Sequence, residues 1–461
     1  MAEIENDTIV AIATPLGRGS IACVRVSGHD ALFVVNKILP NGNIHAFEPR
    51  QVRLTWLHGE NGRLIDHAQV VIYTKPHSYT GEDVVEIFCH GGNVAPAGIY
   101  EALCRHGARP ATAGEFTRRA ILNHKLDLVQ AEAIRDIVEA ESEAGLQQFL
   151  SHLEGRFSNQ VSELRQQLLH ACALLELGLD FSEEDVEFAD RDQLHGELKH
   201  VEAMLVNLTS GYERGQALKD GWKVAIVGKP NVGKSSLMNA LLRYDRVIVS
   251  ALPGTTRDTV EDRIRLGGQL FRMIDTAGIR SHGDEIEQIG IVRSLRAVSE
   301  ADIILFVVDN SNSADENDRE MYQQCLERLR PHARLILVRN KRDLPASPNA
   351  FEIVDDETES VFTCAMRADG ISELETKMLE VAGQNHQPGV SVQYLNARHK
   401  LCLEKALASL RSAQLSLQSN LSAEFVALDL REAAEYLGML IGEVTTEDVL
   451  EEIFANFCIG K

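Results

Sequence analysis

Gly228-Lys229-Pro230-Asn231-Val232-Gly233-Lys234-Ser235 follows directly on the apolar run Val224–Val227. The spacing fits G-x-x-x-x-G-K-[ST], a loop that joins a strand to a helix and cradles phosphates. Its glycines let the backbone curl so that successive N–H groups face phosphate oxygens. Ser236–Leu242 reads as the following helix, whose N-terminus adds positive potential. Asn231, Val232, Gly233 and Ser236 complete the phosphate loop. Lys234 is expected to reach the β and γ phosphates, and Ser235 to ligate Mg²⁺. Around the loop, Phe271–Ile274, Ile303–Val308, Leu335–Val338 and Ser360–Thr363 read as further strands, most of them separated by helical patterns. That alternation predicts a mostly parallel sheet within an α/β block spanning 218–383.

Four further segments complete the nucleotide site. Asp275-Thr276-Ala277-Gly278 follows one strand, placing a carboxylate toward the metal and the Gly278 N–H toward a γ-phosphate. Asn340-Lys341-Arg342-Asp343 follows another. Asp343 offers two acceptor oxygens to the two adjacent donors of guanine, which adenine does not present, so the motif favours GTP. Cys364-Ala365-Met366 stands where Ser-Ala-x is usual, and the Ala365 N–H is expected to meet the guanine oxygen. Ser250, Ala251, Leu252, Pro253, Gly254, Thr255 and Thr256 form a switch loop in which Thr256 supplies a hydroxyl for Mg²⁺. The residue after Gly278 is Ile279, where Ras-like proteins carry the Gln that orients the attacking water. Something else must supply charge and orientation.

The rest of the 461-residue chain has an ordinary globular balance, 44% hydrophobic and 25% charged, enough for more than one core. Its net charge of −22 argues against coating nucleic acid with the whole surface. No run of 18 apolar residues occurs, so no membrane-spanning helix is expected. Met1–Asp7 lacks Lys and Arg and reads as neither secretory signal nor transit peptide. The eight cysteines form no C-x-x-C pair and read as small buried hydrophobes in a reducing cytoplasm.

Residues 1–122 read as a separate α/β domain. Its strands are Thr8–Ala13, Ile21–Ser27, Val70–Tyr73 and Val84–Phe88, with a helix over Ala95–His106. From Leu126 the pattern becomes helical. Leu146, Phe149, Leu150, Leu153, Phe157, Val161, Leu164, Leu168, Ala171 and Leu175 recur every three or four residues, as on one face of a long helix. Ser182–Asp190 is an acidic run, read as a solvated loop or helix start. After the polar linker Gln384–Gly389, helical spacing returns at Leu401, Ala408 and Leu415, then from Leu430 to Leu440 and Val449 to Phe457. Thr445 with Asp448 resembles a capping box. The fold class is therefore multidomain α/β plus all-α: a helical domain in two parts, 123–217 and 384–461, split by an inserted Ras-like P-loop G domain.

The chain resembles the tRNA modification GTPases of the MnmE (TrmE) family along its whole length. The resemblance rests on Ala13-Thr14-Pro15-x-Gly17-Arg18-Gly19, Thr80-Gly81-Glu82-Asp83-Val84 and Gly114-Glu115-Phe116-Thr117. It continues through Leu122-Asn123-x-Lys125-Leu126-Asp127-Leu128, the four nucleotide motifs and the closing Phe457-Cys458-Ile459-Gly460-Lys461. It implies that Asn231, Ser250, Leu252 and Thr255 hold a K⁺ ion where an arginine finger otherwise acts, and that two G domains meet across it in a homodimer. It implies that Glu287 positions the attacking water indirectly. The N-terminal domain would be a folate-binding-like dimerisation domain that takes 5-formyltetrahydrofolate, with Arg25, Glu86, Lys125 and Lys461 as contacts. Arg25 or Lys125 suits the folate carboxylates, Glu86 suits the donor edge of the pterin, and Glu82 is the weaker carboxylate candidate. Cys458 belongs to a tail that the family requires for the modification.

The activity so implied is GTP hydrolysis coupled to adding a (carboxymethyl)aminomethyl group at C5 of the wobble uridine of certain tRNAs. An FAD- and NADH-using partner subunit, in a heterotetramer or larger assembly, would carry much of the tRNA contact. A GTP switch in ribosome assembly is the alternative. It calls for a basic, aromatic-rich C-terminal module, which the C-terminal helical segment does not clearly show. A membrane-remodelling GTPase would call for basic amphipathic helices or a lipid anchor, and the sequence shows neither.

Overall fold

The computed structural model describes residues 7–15, 17–180, 191–245, 262–274, 295–348, 350–351, 358–384, 393–419, 421–444, 450, 453–455, 457 and 460. Two compact units emerge: Met1–Glu139 with Phe149–Glu202 and Leu401–Lys461, and Ala140–Gln148 with Ala203–Lys400.

In the first unit the strands are β1 (Ile9–Ile12), β2 (Ile21–Ser27), β3 (Arg53–His58), β4 (Leu64–Tyr73), β5 (Val84–His90) and β6 (Arg109–Pro110), in the order β3-β4-β5-β2-β1-β6. All neighbours pair antiparallel except β1 with β6. Alternation along each strand separates two faces. Ala22, Val24 and Val26 of β2 and Val85, Ile87 and Cys89 of β5 enter the main core, packed with helices α1 (Ala31–Asn36) and α2 (Ala95–Arg105). The intervening residues, Arg25 and Glu86, therefore share the opposite face, directly paired across the two strands. β3 was absent from the sequence reading. It is an edge strand whose Leu54 and Trp56 are exposed, so it lacks the buried alternation that marks its neighbours.

The helices α3 (Glu115–Leu122), α4 (Leu128–Glu139), α5 (Glu143–Leu153) and α6 (Arg156–Asp180) follow. The single long helix expected over Leu146–Leu175 is thus two. Gly155 sits between them at φ +80°, a left-handed stop that glycine adopts without strain, while the apolar spacing runs on across the break. α6 packs along the helix Ala423–Ile441 through Phe157, Val161, Leu164 and Leu168 on one side and Leu430, Ala433, Ala434 and Leu437 on the other. Ser422 caps the second helix by accepting from the Glu424 N–H, and Gly442 ends it at φ +89°. In helix Ala397–Gln418 the spacing Leu401, Ala408, Leu415 marks the exposed stripe. The buried one is Leu403, Ala406, Leu410, Ala413 and Leu417. A seven-residue repeat names a stripe without saying which way it faces.

A charge network closes the start of β1. Arg119, on α3, pairs with Asp7, Glu82 and Glu115, and Arg109 pairs with Asp7 and Glu115. Burial pushes the Glu115 carboxyl up, but hydrogen bonds from Arg109, Thr112 and Arg119 outweigh it and hold the group below its ordinary 4.5. A depressed carboxyl contributes stability that is present above pH 4.5 and lost as pH falls below it. Glu115→Gln leaves Arg119 short of a partner, at a cost of about 3 kcal/mol. Unfolding followed from pH 7 down to pH 3 should show wild type converging on the variant in acid, and parallel curves would sink the assignment.

The second unit holds β7 (Trp222–Val227), β8 (Asp262–Leu266), β9 (Gln269–Ile274), β10 (Ile303–Asp309), β11 (Arg334–Asn340) and β12 (Glu359–Phe362), in the order β12-β11-β10-β7-β9-β8. All pairs are parallel except the hairpin β8–β9, and β8 was not expected from the sequence. Both faces are covered, which explains near-continuous apolar strands such as Ile-Ile-Leu-Phe-Val-Val in β10. Ile303, Leu305 and Val307 pack on one side, Ile304, Phe306 and Val308 on the other. Among the described residues, no helix is long and apolar enough to cross a membrane. Ser182–Asp190, Thr445 and Asp448 lie outside the described residues.

Candidate functional site

The phosphate loop leaves β7 at the centre of its sheet and enters helix α7 (Lys234–Asp245). Asn231 adopts φ +62° and Gly233 φ +104°. A Cβ on Gly233 would stand 2.1 Å from Asn340 Nδ2, so only glycine admits the neighbouring motif. Asn340 is 3% exposed and joins three loops. Its Nδ2 donates to the Val232 carbonyl at 2.8 Å. Its Oδ1 accepts from the Thr363 hydroxyl at 3.2 Å and from the Ala365 N–H at 3.1 Å. The N–H expected to meet a guanine oxygen is thus engaged by Asn340 in this structure.

Lys234 curls back on its own loop, donating to the carbonyls of Gly228 at 2.5 Å and Lys229 at 2.6 Å. Burial pushes its ammonium down to about 8, which leaves it mostly protonated at neutral pH. Lys341, at φ +63°, donates to Asp309 Oδ2 at 2.7 Å. Burial raises the Asp309 carboxyl, but hydrogen bonds from Lys341 and Ser311 outweigh it and hold it low. Asp343 lies at the surface with Arg367 Nη2 at 3.8 Å, and Met366 is exposed. Ser235 and Ser236 lie in the first turn of α7. Sequence reasoning missed Asp309, Thr363 and the ion pairs of Lys229 with Asp315 and Asp318. None carries a local pattern, since each partner arrives from another loop.

A second site lies on the polar face of the first unit's sheet. Arg25 Nη2 stands 2.8 Å from Glu86 Oε1, and its Nε donates to the same oxygen at 2.9 Å. Tyr73 Oη donates to Glu86 Oε2 at 3.5 Å. The Arg25 guanidinium lies over the rings of Tyr79 and Phe116, at 5.3 and 5.6 Å. Its Nη1 donates to the Gly460 carbonyl at 3.1 Å, which brings the end of the chain to this face. Burial and the adjacent Glu86 charge push the Cys23 thiol up to about 12, so it is inert as a nucleophile. Lys125 is exposed on the neighbouring loop, its Cγ 3.3 Å from where a Cβ on Gly81 would stand. Glu82 is turned into the charge network, bonded to Ser27 and Arg119.

Ser250–Thr256, Asp275–Gly278, Ile279, Glu287, Cys458 and Lys461 lie outside the described residues. The cysteines at 23, 89, 172, 325 and 364 are buried free thiols, in keeping with their apolar sequence settings.

Two family models match: the MnmE helical domain over residues 128–458 and the GTP-binding protein TrmE N-terminus over residues 8–125. The chain belongs to the MnmE family of tRNA modification GTPases. MnmE proteins similar along their whole length include that of Porphyromonas gingivalis, 42% identical over 99% of this chain and 98% of its own. That of Christiangramia forsetii is 41% identical over 99% of both chains. That of Moorella thermoacetica is 41% identical over 99% of this chain and all of its own. All three carry the description "tRNA modification GTPase MnmE". As a member of the MnmE family the chain is a GTP hydrolase.

Proposed function

We propose that the chain hydrolyses GTP to drive the addition of a (carboxymethyl)aminomethyl group at C5 of the wobble uridine of certain tRNAs. It acts in the cytoplasm as a homodimer with an FAD- and NADH-using partner, and takes its one-carbon unit from 5-formyltetrahydrofolate. In this reading residues 1–122 bind folate and dimerise, 218–383 form the G domain, and 123–217 with 384–461 form the helical domain. The observation that carries it is the Gly460 carbonyl on Arg25, beside Glu86. That contact sets the chain's end at a face where a carboxylate, a cation and two aromatic rings converge.

Glu86, oriented by two bonds from Arg25, presents its second oxygen to the N–H edge of a pterin. Tyr79, partly exposed, offers a ring face, and Phe116 supports the Arg25 guanidinium from the core. Lys125 and Lys461 supply cations for the glutamate carboxylates, since Arg25 is already neutralised by Glu86. In the G domain, Lys234 turns from its own carbonyls to the β and γ phosphates when nucleotide enters. Ser235 and Thr256 would ligate Mg²⁺, and Asp275 to Gly278 would serve the metal shell and the γ-phosphate. Asn231, with Ser250, Leu252 and Thr255, would hold K⁺, which would supply positive charge against the negative charge developing on the leaving phosphate. Glu287 orients water in place of the Gln that Ile279 replaces.

The test is a titration of the full chain with 5-formyltetrahydrofolate. Glu86→Gln exchanges a charged acceptor for a neutral amide and should weaken binding about tenfold to a hundredfold. An affinity within twofold of wild type would remove Glu86 from the site.

A further inference from the structure

Gly114-Glu115-Phe116-Thr117 opens α3, and each of its residues supports a different part of the Arg25 face. Gly114 sits at φ +66°. A Cβ there would stand 2.5 Å from Phe454 Cδ1 and 2.9 Å from Phe457 Cβ, so the two rings rest on bare backbone. The rings lie 4.9 Å apart, are buried, and share a cluster with Leu128, Ala131 and Leu450. Three residues beyond Phe457, Gly460 takes φ +100°, and a Cβ on it would come 2.8 Å from Ala13 Cα. Its carbonyl is the one that accepts from Arg25. The tail thus meets the domain at two places where no side chain fits.

The other three residues hold what the tail meets. Phe116 flanks the Arg25 guanidinium directly, and the Thr117 hydroxyl, 2.8 Å from Tyr79 Oη, fixes the ring on the other flank. Glu115 ties the turn to Arg109 and Arg119 beneath.

We propose that this four-residue turn is the dock that seats the C-terminal tail on Arg25, with Gly114 as its positioning residue. The consequence for ligand binding rests on the folate reading above; the docking itself does not. Any side chain at Gly114 lifts Phe454 and Phe457, and with them the Gly460 carbonyl, from the Arg25 face.

The experiment compares full-length wild type, Gly114→Ala and Phe457→Ala by hydrogen exchange of the peptide spanning Phe454–Gly460 and by titration with 5-formyltetrahydrofolate. Phe457→Ala unseats the tail from its own side and leaves the turn intact. Both variants should raise exchange in the tail peptide at least tenfold and weaken folate binding at least tenfold, with exchange in β2 and β5 unchanged. Phe457→Leu, which keeps apolar bulk, should recover most of both. Wild-type protection of the tail in both variants would overturn the dock. A released tail with folate affinity within twofold of wild type would overturn its role in binding. A tail released by both variants in a protein that binds no folate at all would support the dock and overturn the folate reading instead.

Discussion

Asn340→Ala should weaken guanine-nucleotide binding by about two to three orders of magnitude. The side chain spans three loops, bonding the Val232 carbonyl, the Thr363 hydroxyl and the Ala365 N–H. Removing it leaves three buried groups unpaired, each costing about 1–3 kcal/mol, while every 1.4 kcal/mol lost from binding is about tenfold in affinity. Part of the loss falls on the stability of the unit, and the rest on binding, because phosphate loop and base loops no longer share a fixed spacing. Asn340→Asp keeps the acceptor but loses the donor to Val232, so it should fall between alanine and wild type. Titration with a fluorescent GDP reads the series. Affinities within threefold across all three proteins would show that the loops hold their places without Asn340.

Replacing K⁺ with Na⁺ should slow GTP turnover about tenfold or more, a barrier increase of about 1.4 kcal/mol, and leave nucleotide affinity within about twofold. Ile279 is an alkyl side chain where a water-orienting amide is usual. Charge developing in the transition state then needs another source, and an ion held by Asn231 and switch-loop oxygens fits the acceptor chemistry. Asn231 is exposed on the loop at φ +62°, a conformation that Asn adopts more readily than most residues. If paired G domains complete the ion's cage, turnover in KCl should also rise faster than linearly with protein. Equal turnover in both salts, linear in protein, would remove the ion from the mechanism.

Much of this was legible in the residues. The phosphate loop announces itself because strand, glycines, Lys234 and helix are consecutive in the chain. Arg25 and Glu86 were nameable through the family resemblance, and alternation in β2 and β5 explains why they meet. What eluded the sequence is whatever two distant segments make together. Gly460 lies 435 residues from Arg25, and nothing local to either predicts the bond. Gly114 stood out as part of a motif, but its reason is a pair of rings from the other end of the chain. β3 was missed because an exposed edge strand has no buried alternation to read. The break at Gly155 was missed because the apolar spacing persists through the turn.

The most direct test of the account is nucleoside mass spectrometry of tRNA from cells that rely on this chain, set against cells that lack it. The account predicts that the (carboxymethyl)aminomethyl group at C5 of the wobble uridine disappears without the chain, returns with wild type and does not return with Lys234→Ala. An unchanged nucleoside profile in cells lacking the chain would contradict it.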